Sequence, residues 1–199
     1  MAQLFQKRYY DQNELRAAGV RAAGDNVRVH EECNIHGLEN IRFGSNVRID
    51  AYVTIIATGP VTIGSYVHIA SYCLLSGGEG ITLGDFSGLS HGVRIYTRSD
   101  DYSGQALTNP TVPPQFTRVE RGPVILGKHV IIGSGSVILP DVTIEEGASV
   151  GALSLVTKSL PGWVMYFGAP ARKIGPRSKQ LLELEQQLLQ ATAGERTAA

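Results

Sequence analysis

Four glycines, Gly24, Gly44, Gly64 and Gly84, recur every 20 residues, and the text around them repeats: GDNVRVHEECNI, GSNVRIDAYVTI, GSYVHIASYCLL, GDFSGLSHGVRI. Inside that period lies a finer one of six. Large apolar residues open successive hexads at Val29, Ile35, Phe43, Ile49, Ile55, Ile63, Ile69, Leu75, Leu83, Leu89 and Ile95. After a gap the period resumes at Leu126 and runs unbroken through Ile132, Ile138, Ile144, Val150 and Val156. With Ala23 included, 17 of 18 hexad-opening positions are Ile, Leu, Val or Phe. Self-similarity of that kind marks a repeat architecture.

Strand geometry explains the pattern. Val27-x-Val29, Val47-x-Ile49, Val67-x-Ile69 and Val142-x-Ile144 alternate inward and outward with period two. Small and polar residues then turn a corner. Three hexads make one triangular coil, and the 20-residue version carries two extra residues, as at Ile41-Arg42, Val61-Thr62 and Ile81-Thr82. The expected fold is an all-β solenoid, a parallel β-helix of about six triangular coils over residues 23–161. A β-sandwich would instead show hairpin turns and a spacing of about 8–12 residues.

The ends of such a stack need caps. In residues 1–22, Asp11-Gln12-Asn13-Glu14 reads as an N-cap with Glu at the third position, and Gly19 closes a short helix. Residues 162–191 form a C-terminal segment and helix, with Leu181, Leu184 and Leu188 at helical spacing, and 192–199 read as a tail. One coil is interrupted. Leu83 to Leu126 is 43 residues, one coil plus 23, so an insertion of roughly 99–122 leaves coil four. Loops this long are usually functional, and Pro110, Pro113 and Pro114 suggest an extended arm.

Composition excludes several classes. Eighteen basic residues balance 18 acidic ones, against the basic excess a nucleic-acid binder needs. A hydrophobic content of 43% excludes a disordered chain. No apolar run approaches the ~20 residues of a membrane span, and the start, MAQLFQKRYY, lacks a signal-peptide core. The two cysteines cannot make a disulfide framework or a zinc site alone. Cys33, Val53, Cys73 and Val93 should form one inward ladder, with both thiols reduced, as in a cytoplasmic protein.

The hexads, the loop leaving coil four, VTKSLPGW and YFGAPARKI resemble the hexapeptide-repeat acyltransferases over residues 20 to 177. The likeness is greatest to the galactoside and maltose acetyltransferases and the sugar acetyltransferases of O-antigen and capsule synthesis. The resemblance implies a left-handed helix, against the usual crossover rule. It implies a homotrimer with active sites between subunits, and acetyl-CoA as acyl donor. The matching cofactor-groove positions are Ser134, Ala152, Thr157, Lys158 and Arg172. Small residues would let the pantetheine arm run close to the backbone, and the two cations would meet phosphates. Where relatives carry a Trp before the I-G-S step, this chain has Ile131.

Many relatives place a catalytic His in a segment like I-Y-S-H-N-H-D-Y. Here the segment reads Ile95-Tyr96-Thr97-Arg98-Ser99-Asp100-Asp101-Tyr102, so Asp100 stands where the His is expected. A free aspartate, titrating near ~3.9, is a weaker base than a His near ~6.5, unless desolvation raises it. Asp100 is the first candidate for the base, and His91, at a corner of coil four, is the second. Asp101 and Tyr102 are candidate acceptor contacts, or turn residues. His30, His36 and His68 read as surface residues, while His129 is a candidate for the groove wall. Trp163, Met165, Tyr166 and Phe167 read as packing under the C-terminal helix. No H-x4-H occurs, so no metal is expected.

The expected activity is acyl-CoA-dependent transfer to a small-molecule sugar in surface polysaccharide biosynthesis. A hydroxyl acceptor needs a good base, whereas an amine can arrive partly unprotonated. The His-to-Asp departure therefore favours an amino sugar, free or nucleotide-linked, over a sugar hydroxyl. A non-catalytic assembly subunit is the reading from another class.

Overall fold

The computed structural model describes residues 8–197. The first seven residues, which carry most of the leader reading, lie outside the described residues, as do the last two.

Three parallel sheets wind about a common core. The first face is built from Val27–His30, Val47–Ile49, His68–Ile69, Gly88–Leu89, Ile131–Ile132, Ser149–Val150 and Val164–Phe167. The second runs from Asn34–His36 through Thr54–Ile56, Leu74–Ser76, Arg94–Tyr96 and Val137–Ile138 to Leu155–Val156. The third runs from Ala22–Ala23 to Val142–Ile144. Six coils close, and a seventh begins where Leu160 bridges Ile144 and Val164–Phe167 joins the first face. The coil is left-handed. Register follows the sequence period: Ile49 pairs with Ile69, Leu89 with Ile132 across the insertion, and Ile132 with Val150.

Sixteen of the 18 hexad-opening residues are buried, and the other two, Ala23 and Ile35, pack against the same core half-buried. Each fully buried aliphatic side chain contributes about 1.5–3 kcal/mol relative to exposure. The periodic glycines mark where coils touch. A Cβ on Gly44 would lie 2.7 Å from the carbonyl carbon of Gly64 in the next coil. At the corner between the third and first faces, Asn26, Asn46, Tyr66, Phe86 and His129 all hold left-handed backbone, φ 53 to 61°. Asparagine tolerates that region and aromatics do so rarely. Here the rings compensate by stacking: Tyr66 lies 4.6 Å from Phe86, and Phe86 lies 5.2 Å from His129.

The N-terminal helix α1 (Gln12–Ala17) carries the expected capping box between Asp11 and Glu14, and it buries Leu15 over the first coil. Tyr9–Tyr10 pairs antiparallel with the first strand and covers its edge. At the other end Val164–Phe167 turns back into Arg172–Pro176, and α2 (Leu181–Thr197) follows, extending into the segment read as a tail. The leucine stripe of α2 is covered only at its start, where Leu181 and Leu182 are half-buried, while Leu184, Leu188 and Leu189 are exposed. Glu185 ties the helix to the coils beyond that point, binding Lys128 at 2.6 Å and His129 at 2.8 Å. Of the aromatic group expected beneath this helix, Tyr166 is buried, Met165 and Phe167 are exposed, and Trp163 lies in the corner stack under Lys179.

The insertion leaves the corner between the second and third faces. Its stem is the antiparallel pair Arg98–Ser99 and Glu120–Arg121. Both arginines donate to Glu79 Oε1, at 2.6 and 3.0 Å, and hold that carboxyl below the usual range.

Candidate active site

The corner between the first and second faces changes character along the helix. In the lower coils it carries Tyr52 and Tyr72, stacked at 5.2 Å and exposed. In the upper coils it narrows to Gly92, Gly133, Ser134, Gly135, Gly151 and Ala152, with the exposed side chains of Leu153 and Phe167 lying across Gly135 and Gly151. A Cβ on Gly133 would sit 2.6 Å from the Gly151 carbonyl carbon, so the coils close to backbone contact there. The result is a trough of small residues ending near Ser90 and His91. Such a trough fits a pantetheine arm, which needs close backbone approach rather than a deep pocket. Ser134 and Ala152 lie in consecutive coils of it, linked by the Leu153 N–H donating to Ser134 O at 2.8 Å.

The cationic candidates flank its upper end. The segment Gly168–Arg172 crosses the last strand of the second face: Leu155 N–H donates to Gly168 O, and Ala171 N–H to Leu155 O. Arg172 opens the return strand, while Thr157 and Lys158 follow Val156, and all three are exposed. Neither cation has an ion-pair partner among the described residues, so both are available to phosphate.

At the lower end of the trough is a cavity of about 220 Å³ lined by residues that include His68, Ala70, Ser90, His91 and Ser134. His91 is exposed there, and its imidazole has no hydrogen-bond partner among the described residues. His68 differs. Its Nε2 lies 2.7 Å from Asp50 Oδ2, while Asp50 Oδ1 accepts from Arg48 Nε at 2.7 Å and from the Tyr9 hydroxyl at 3.1 Å. Burial would raise the Asp50 carboxyl, but the His68 and Arg48 hydrogen bonds outweigh it and hold the group below its ordinary value. The sequence reading left His68 on the surface. It does point outward, but into this cavity. The 20-residue period sets position 48 beside 68 and 50 beside 70, so Asp50 and His68 are diagonal neighbours once the register is known.

The other half of the candidate set lies in the insertion. A cavity of about 400 Å³ between the stem and the tip is lined by residues that include Arg98, Asp100, Asn109, Thr117 and Arg121. Asp100 is half-buried, and its carboxylate accepts one long hydrogen bond, 3.3 Å from Asn109 N–H. Asp101 accepts four, from Ser103 N–H and Oγ, Gln105 N–H and Ala106 N–H, and these hold its carboxyl below the ordinary value. Its lone pairs are spent on the turn. Tyr102 is 92% exposed and lines neither cavity.

The remaining histidines lie elsewhere. His30 is buried under Tyr9 and accepts from Glu32 N–H, and His36 is exposed on the second face. His129 is not in the groove wall. It is buried at the corner between the third and first faces, paired with Glu185. No cluster of three metal-ligating side chains occurs among the described residues.

The two cavities share no lining residue. The strand Arg94–Tyr96 separates them, with Ser90 and His91 before it and Asp100 beyond it, at opposite edges of the second face. Within one copy the candidate residues therefore fall into two separate groups.

Residues 123–158 match the family described as bacterial transferase hexapeptide (six repeats). The chain is 40% identical over 178 residues, 89% of its length and 93% of the relative's, to the dTDP-4-amino-4,6-dideoxy-D-glucose acyltransferase of Escherichia coli. It superposes with a TM-score of 0.91 on AntD, an N-acyltransferase from Bacillus cereus, in complex with dTDP and 3-hydroxybutyryl-CoA. Identity is 44%, covering 94% of this chain and all of that one. A serine-to-alanine variant of AntD, in complex with dTDP-4-amino-4,6-dideoxyglucose and coenzyme A, superposes at 0.90 with the same identity, covering 94% of this chain and 100% of that one. A maltose O-acetyltransferase from Clostridium difficile 630 shares the fold alone, with a TM-score of 0.52 at 22% identity over 84% of this chain and 74% of its own.

Proposed function

The chain belongs to the bacterial hexapeptide transferases and is an acyl-CoA-dependent sugar acyltransferase, and on that premise we propose that it acylates the amino group of a dTDP-linked 4-amino-4,6-dideoxyhexose. One observation carries the choice of acceptor. Of two adjacent loop carboxylates, Asp101 is consumed by its turn and Asp100 is left with a single long hydrogen bond, facing a cavity. A carboxylate in that state suits an ammonium or amine better than it suits deprotonating a hydroxyl. Structures of the Bacillus enzyme include variants at a serine and at an aspartate ten residues apart, the separation of Ser90 and Asp100 here.

In this reading Asp100 and Ser90 hold the acceptor nitrogen, and Ser134 and Ala152 border the pantetheine path. Thr157, Lys158 and Arg172 meet the phosphate end of the donor. The donor supplies an activated thioester carbonyl. The halves at opposite edges of the second face meet only if the insertion of one copy reaches the trough of the next, which a threefold assembly provides. A cytoplasmic setting agrees with a donor and acceptor made there and with two free cysteines. The product, an N-acylated nucleotide sugar, is chemically what a glycosyltransferase consumes. Thiol release from acetyl-CoA or 3-hydroxybutyryl-CoA, measured against amino and neutral nucleotide sugars, tests the reading. Turnover on neutral sugars alone would refute it.

A further inference from the structure

The sugar nitrogen needs a proton acceptor. An aliphatic amine is largely an ammonium at neutral pH, and an ammonium has no lone pair for the thioester. Asp100 can hold that ammonium, but a carboxylate is in general a weaker base than an imidazole. The cavity at the end of the trough contains a better one. His68 projects into it from coil three, one coil below Ser90, with its side chain 51% exposed. Its Nε2 is committed to Asp50, whose carboxylate is itself fixed from the other side by Arg48 and Tyr9. That bond selects one tautomer. With Nε2–H donated to Asp50, Nδ1 carries the free lone pair, and Nδ1 has no partner among the described residues. His91 shares the cavity, but no side chain among the described residues orients its ring.

We propose that His68, oriented by Asp50, takes the proton that the acceptor ammonium must lose before it attacks the thioester. The proposal rests on the reading above. The N–H proton passes to His68 Nδ1, leaving a neutral amine. Its lone pair forms the C–N bond as the carbonyl π pair moves to oxygen. When that pair returns, the C–S bond breaks and the thiolate leaves. The second N–H proton neutralises the thiolate, and the proton on His68 passes to water. The sum is ammonium plus thioester giving amide, thiol and one proton.

Other groups facing His68 are few. Arg48 lies beside it in the next coil but is engaged by Asp50, Tyr9 reaches Asp50 rather than the imidazole, and His91 lies across the cavity. The neighbouring strand Gly88–Leu89 brings no charge, and Gly88 leaves the approach to His68 open.

The test compares wild type, His68→Gln and Asp50→Asn with acetyl-CoA and dTDP-4-amino-4,6-dideoxyglucose from pH 7 to 9. His68→Gln should lower kcat about 10²–10⁴-fold at pH 7, the range for a lost general base. Its KM for the donor should move by less than about threefold, because no uniform binding is removed. The deficit should shrink by about tenfold or more toward pH 9, where the amine arrives already neutral. Asp50→Asn should fall between wild type and His68→Gln. A merely structural role would give a deficit independent of pH, and that result, or His68→Gln matching wild type, would overturn the proposal alone. A wild type inactive on every amino nucleotide sugar would overturn it together with the proposed function. The exposure of His68 lets His68→Gln fold, which circular dichroism checks.

Discussion

Asp100 and Asp101 are adjacent in sequence and opposite in state. Asp101 accepts four hydrogen bonds that tie residues 103–106 into a turn, whereas Asp100 accepts one, at 3.3 Å, and faces the cavity of the insertion. Exchanging either carboxylate for an amide should therefore have different consequences. Asp100→Asn should cut turnover about 10²-fold, the scale of a misplaced acceptor, with little change in donor affinity. Asp101→Asn should loosen the loop, seen as faster proteolytic nicking within 103–106. Equal effects of the two on kcat would remove the distinction.

The two thiols should be slow toward reagents. Burial pushes both Cys33 and Cys73 to about 11, so the reactive thiolate is scarce at pH 8. They stand two coils apart, roughly 9–10 Å at the strand spacing, beyond the ~7 Å Cα limit of a disulfide. Labelling of the native protein should proceed slowly, with half-buried Cys33 ahead of buried Cys73, and become rapid in denaturant. A Cys33–Cys73 bridge on mass analysis would show that the coil register is wrong.

The attachment of α2 should depend on pH. The Glu185 carboxyl is held low by its hydrogen bond to Lys128, against desolvation, with His129 adding to the effect. A lowered native value means that the stabilisation is full above the unfolded value of ~4.3 and is lost as pH falls through the native one. Amide exchange in Leu181–Thr197 should rise on acidification below that range, and Glu185→Gln should raise it already at pH 7. A helix equally protected in Glu185→Gln would assign its docking elsewhere.

Much of this was legible beforehand because the side-chain period of a β-helix is the period of its core. Val29, Ile49, Ile69 and Leu89 needed no structure to be placed inside, and the break after Ile95 located the insertion within a residue or two. Residues outside the hexads were less legible. Whether His68 meets Asp50 depends on contact between coils, 18 positions apart in a 20-residue period, and no local pattern reports it. His129 precedes an inward valine just as His68 precedes an inward isoleucine, yet one stacks in a closed corner and the other borders a cavity. The leucines of α2 have helical spacing, but spacing does not say whether a single copy covers them. In this one Leu181 and Leu182 are half-covered, and Leu184, Leu188 and Leu189 are not.

The proposed threefold assembly is tested by the split between the two halves of the candidate site. Sedimentation should find a trimer at concentrations where the enzyme is active, and a mixture of Asp100→Asn and Ser90→Ala subunits should regain activity that neither has alone. Active monomers, or no complementation, would place both halves of the site within one copy.

The most direct measurement compares two acceptors that differ by one group. dTDP-4-amino-4,6-dideoxyglucose and its 4-hydroxyl counterpart are offered to the wild type with acetyl-CoA or 3-hydroxybutyryl-CoA, and thiol release is followed with mass analysis of the nucleotide sugar. The account predicts an amide at the 4-position and a kcat/KM at least about 10²-fold higher for the amine, the scale expected when the Asp100 carboxylate loses the charged group it holds. Equal or faster acylation of the hydroxyl sugar would contradict it.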